Sequence, residues 1–117
     1  MKIEPVTFID FEELRQHVSG YDSLFRRLLQ LLLEQAPLWV EELDKAFAGG
    51  DPEIVRKLCH KIKGSAGTLQ ARYIIEATAE LSAYAVNGDL SDAGESRQRL
   101  VRVIKETVAF VRDSGHV

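Results

Sequence analysis

Cysteine is nearly missing from this chain of 117 residues. Cys59 stands alone, so no internal disulfide can form, and no CxxC or Cys/His spacing offers a zinc site. The expectation is a protein of a reducing compartment, the cytoplasm, with no metal of its own. Long apolar runs are missing too. Leu31-Leu32-Leu33 falls far short of the roughly 20 residues that cross a bilayer, and the opening Met1-Lys2-Ile3-Glu4-Pro5 lacks the apolar stretch of a secretory signal. No membrane partner is expected. Nor does charge of one sign dominate: 15 Lys and Arg against 18 Asp and Glu leave a formal net charge of −3, with no global pull toward nucleic acid. Arg26-Arg27 and the trio Arg97, Arg99 and Arg102 share helix faces with acids and are not read as a nucleic-acid site. No segment alternates apolar and polar residues over a strand's length, which argues against a sheet.

What is present is helical periodicity. Five helices are expected, at about 10–18, 22–48, 52–69, 71–86 and 91–113, within one domain spanning the chain. Asp10 with Glu13 forms a capping-box pattern for the short first helix, and Ser19-Gly20 ends it. In the second, Phe25, Leu28, Leu32, Ala36, Leu43 and Phe47 recur at helical spacing up to Gly49-Gly50. Pro37 lies inside it, where a kink is expected rather than a break, because the apolar period continues past it. Asp51 and Pro52 make a strong start for the third helix, with Val55, Leu58, Ile62, Ala66 and Leu69 as its core stripe. Ile74, Ala77, Thr78, Leu81 and Ala85 mark the fourth helix, and Leu100, Ile104, Thr107 or Val108, and Val111 the fifth. Four long helices joined by short turns imply an all-α, antiparallel up-down four-helix bundle, with the short first helix across one end.

Against the core stripe of the third helix, His60 falls about 200° from both Leu58 and Ile62 and should point to solvent. Lys57 and Lys63 lie three residues to either side, and Lys61 is adjacent. An imidazole nitrogen is a nucleophile, and the two neighbouring ammonium groups suit a phosphoryl group placed on it. Gly64 and Gly67 cost up to ~1 kcal/mol each relative to alanine inside a helix. Such bareness beside an exposed imidazole lets the cleft of another protein close over the ring. Cys59 is read as a small buried residue. On α-helical spacing, Leu31, Gln35 and Leu38 form a second stripe of the long helix; in an antiparallel pair joined at Gly49-Gly50 the residues around Gln35 to Trp39 are level with His60, an apolar patch placed to dock a partner helix. Trp39 is assigned to the core.

The run His60-x-x-Lys63-Gly64-Ser65-Ala66-Gly67, followed by Leu69, Ala71, Ile74 and Leu81, resembles the signature of histidine phosphotransfer (HPt) domains, and the resemblance covers nearly the whole chain. It implies a phosphocarrier in a multistep His-Asp phosphorelay. His60 would accept a phosphoryl group from the aspartyl phosphate of a receiver domain and pass it to another receiver's Asp, with Lys63 and Gly64 completing the site. The partners implied are receiver domains of a hybrid sensor histidine kinase and of a response regulator. The chain would hold no cofactor and be no complete enzyme, since the divalent metal and catalytic Asp belong to the receiver. Lys57, Lys61, Gly67, Leu31, Gln35 and Leu38 are the expected partner surface. Two residues depart from the family pattern. Gln70 stands where a glycine is common, and Ser82 where many members carry a Glu or Gln that orients the ring; Ser82, water, Glu80 or Gln35 is left to do so. The alternative is a helical bundle that binds or scaffolds signalling partners and transfers nothing, against which the intact His60, Lys63 and Gly64 argue. The N-terminal Met and the reach of the last helix suggest a stand-alone protein.

Overall fold

The computed structural model describes residues 7–117; the first six residues of the expected 1–117 domain lie outside the described residues. It is all-helical, with α1 (Phe11–His17), α2 (Asp22–Gly49), α3 (Pro52–Thr68), α4 (Arg72–Val86) and α5 (Gly94–Asp113). The four long helices touch in a ring, α2 on α3, α3 on α4, α4 on α5 and α5 back on α2, while α1 packs on α2. At about 1.5 Å per residue, the 28 residues of α2 make it the longest of the five helices, roughly 42 Å from end to end.

Local chemistry accounts for most of the boundaries. The Asp10 carboxylate accepts the Glu13 amide at 3.1 Å and opens α1. α2 runs unbroken through Pro37 and stops where Gly50 turns left-handed, at φ +70°. Asp51 accepts the Glu53 amide at 2.9 Å and Pro52 fills the first turn of α3. At the far end of α3, Ala71 N–H donates to Ala66 C=O at 2.9 Å and Gln70 N–H to Gly67 C=O at 3.1 Å, a Schellman closure that leaves Gln70 at φ +54°. α5 begins at Gly94 rather than Ser91. Asp89 accepts both the amide (2.9 Å) and the hydroxyl (2.7 Å) of Ser91, holding the chain in a turn that buries Ala93 before the helix starts.

All five stripe residues of α3, from Val55 to Leu69, are buried. So are the four α2 positions Phe25, Leu32, Ala36 and Leu43, joined by Leu29, Trp39 and Ala46; Leu28 and Phe47 are only half-buried at the edge. Burial of this kind is worth roughly 1.5–3 kcal/mol per large apolar side chain and is what holds the helices in register. At the α1 end, Phe11 stacks on Phe110 at 5.2 Å, and His116 packs against Phe11 and Phe25, tying the C-terminal tail to the bundle.

Candidate functional site

His60 projects from α3 into solvent, with the buried Leu58, Cys59 and Ile62 behind it. Cys59 is 1% exposed, and its burial pushes the thiol up to about 11, so it is no nucleophile at neutral pH. The neighbours of His60 divide into two kinds. Lys57 and Lys63 are exposed and take part in none of the ion pairs among the described residues. Lys61, by contrast, is committed to Glu42 of α2, its ammonium 3.2 Å from both carboxylate oxygens.

Gly64 and Gly67 are exposed, and a Cβ built on either would meet nothing within 4 Å. No close contact inside this chain therefore requires a glycine at either position. The bareness faces outward, beside the imidazole.

One flank of His60 is a groove of about 240 Å³ between α3 and α4, lined by Arg56, Cys59, His60 and Lys63 on one side and Thr78, Ala79, Ser82 and Val86 on the other. Ser82 thus shares a groove with the ring. Thr78 does not compete for it, since its hydroxyl donates to Ile74 C=O at 2.9 Å and Ile75 C=O at 2.8 Å. Of the other candidates for orienting the ring, Glu80 is paired with Arg99 of α5, and Gln35 lines a different groove. Arg56, one turn before His60, was not among the residues singled out from sequence; its spacing on the helix was the available signal.

The other flank corrects the expected register of the α2–α3 hairpin. Leu31 and Gln35 line a groove with Leu28, Leu32, Trp39, Ser65, Thr68 and Leu69, so they lie level with the last turns of α3 and not with His60. The Lys61–Glu42 pair shows the reason: the hairpin folds tightly about Asp51, bringing Glu42 opposite the turn that carries the histidine. Leu38 is 51% exposed, and Leu31 and Gln35 are half-buried. Among the described residues no group of three His, Cys, Asp or Glu side chains could hold a metal ion, and no helix is long and apolar enough to cross a membrane.

The family model of the Hpt domain matches residues 27–113. The chain belongs to the Hpt domain family. Two solved structures share the Hpt fold. One is histidine-containing phosphotransfer protein B from Pseudomonas aeruginosa PAO1, with a TM-score of 0.83 at 18% identity, covering 93% of this chain and 95% of that one. The other is the HPT domain of an Hpt sensor hybrid histidine kinase from Shewanella, with a TM-score of 0.79 at 15% identity, covering 91% and 92%. No curated protein matches in sequence. Hpt proteins are phosphotransfer carriers in His-Asp phosphorelays, not classical enzymes, and their partners are receiver domains.

Proposed function

We propose that His60 is the residue of this Hpt domain that carries the phosphoryl group. The observation that supports it is an exposed imidazole one turn before an unpaired Lys63 and the open surface of Gly64, within the residues that the family model matches. A ring nitrogen attacks the phosphorus of a receiver's aspartyl phosphate. The P–N bond forms as the acyl-phosphate P–O bond breaks, and that electron pair leaves on the receiver's carboxylate. The reverse reaction on a second receiver discharges the carrier. Lys63 supplies a cation to the phosphoryl oxygens, and Gly64 and Gly67 leave room for the receiver's cleft. The divalent metal and the acceptor Asp belong to the receiver. In this reading the donor is the receiver domain of a hybrid sensor kinase, the acceptor that of a response regulator, and the exchange takes place in the cytoplasm.

Incubation with a set of phosphorylated receiver domains tests the proposal. Acid-labile phosphate should appear on the wild-type chain and not on His60→Ala, whose melting temperature should stay within a few degrees because the lost side chain is exposed. Transfer to His60→Ala would show that the phosphate resides elsewhere.

A further inference from the structure

The groove beside His60 holds a second cation, placed differently from the lysines. Arg56 lies one turn before His60, on the same face of α3, and lines the same α3–α4 groove. Side chains on a helix lean toward its N-terminus, so each covers the turn before its own Cα. Lys63 therefore leans back onto His60, and the imidazole leans back over the turn that carries Arg56 and Lys57. A phosphoryl group on the outer ring nitrogen would sit over that turn.

Arg56 is not idle in the unmodified chain. Its guanidinium forks onto Glu53, with Nε 2.9 Å from Oε2 and Nη2 2.6 Å from Oε1. The hydrogen bond holds the Glu53 carboxyl below its usual range and the Arg56 guanidinium above its own. Both partners are open to water, with side-chain exposures of 42% for Arg56 and 54% for Glu53, so the pair is cheap to separate. The α4 wall of the groove, Ala79, Ser82 and Val86, offers no acid that would hold the guanidinium elsewhere.

We propose that Arg56 is a phosphoryl-binding residue of this site, held by Glu53 in the unmodified chain and released to the phosphoryl group once His60 carries it. The inference rests on His60 being the phosphorylated residue. A phosphoryl group brings close to two negative charges and three acceptor oxygens where Glu53 brings one charge, and the planar fork of arginine fits either. The Glu53–Arg56 pair then acts as a store: the cation is pre-placed one turn away and neutralised until it is needed.

The test is the equilibrium constant for phosphoryl exchange between this chain and a receiver that accepts its phosphate. That constant depends only on the free species, so a role in docking alone would leave it unchanged. Arg56→Gln keeps most of the stem and removes the charge. It should shift the equilibrium away from the phosphohistidine by roughly threefold at low salt, the scale of an exposed charge-assisted contact. Arg56→Lys should restore most of the shift, and Glu53→Gln, which frees the guanidinium, should move the constant the other way. In the wild type the Arg56 Nε–H resonance should move on phosphorylation. An exchange constant indifferent to Arg56→Gln, or a shift in the same direction for Glu53→Gln, would overturn the proposal while leaving phosphorylated His60 in place. Absence of phosphate on the wild-type chain with every receiver would instead remove the phosphocarrier reading on which it rests.

Discussion

Lys61 and Glu42 are joined across the α2–α3 interface, the ammonium 3.2 Å from both carboxylate oxygens. The cation next to His60 in sequence is thereby tied to the bundle, whereas Lys63, three residues on, is left for a ligand. Lys63→Ala should lower transfer roughly tenfold to hundredfold, since a charge-assisted contact in a partly dried interface is worth about 1.5–3 kcal/mol. Lys61→Ala should cost at most ~1 kcal/mol of stability and change transfer much less, because an exposed pair is worth little. Rates measured at one low salt concentration compare them; a larger loss of transfer in Lys61→Ala would reverse the assignment.

Gly64 separates stability from function. With open space around its Cβ position and ordinary helical backbone, Gly64→Ala should raise stability by ~0.5–1 kcal/mol, read from denaturant midpoints. Phosphoryl transfer from a receiver should nevertheless slow, and slow further in Gly64→Glu, which adds bulk and negative charge one turn from the ring. Full transfer activity in both variants would remove the case for close approach at this glycine.

Gln70 occupies a left-handed position at φ +54°, and its amide oxygen is buried with no hydrogen-bond partner among the described residues. Such a backbone costs a side-chain-bearing residue on the order of 1 kcal/mol, and glycine avoids both the strain and the orphaned carbonyl. Gln70→Gly should therefore melt higher than wild type, despite the extra freedom glycine gives the unfolded chain. A lower melting temperature would mean that the Gln70 side chain contributes packing that outweighs the strain.

Cys59 gives the molecule an alkaline weak point. Burial raises the folded thiol to about 11, above its ordinary value of 9.0. The neutral thiol is favoured in the native state, so this contribution to stability is complete below pH 9 and is lost as the pH climbs toward 11. Cys59→Ala should lose less stability than wild type over that window, measured by urea unfolding at stepped pH. Native wild type should also resist iodoacetamide at pH 8 until denaturant is added.

The helices and the core face of α3 were legible because apolar spacing and capping residues are local: Asp10, Asp51, Pro52 and Gly50 act within a turn of where they stand. His60, Lys63 and Gly64 were legible as a cluster for the same reason, being on one helix. What was hidden depends on two helices meeting. The level of Gln35 relative to α3 follows from where the hairpin turn is centred, and the pairing of Glu80 with Arg99 from how α4 lies on α5. The late start of α5 turned on a side chain, Asp89, that competes for the backbone and hydroxyl of Ser91. Arg56 was overlooked because its importance appears only when the short residues of α4 open a groove beside it.

The exposed histidine sits in mid-helix, on an element packed against both α2 and α4. Among the described residues nothing covers the ring, and a helix held on two sides presents it the same way at each collision. The pace of exchange is then a matter of encounter. Lys57 and Lys63 form a positive spot on a molecule of net charge −3, which gives the surface a preferred face for an acidic pocket approaching by diffusion. Such guidance fades once the screening length shrinks to that of concentrated salt, so ionic strength sets how often two such molecules meet productively.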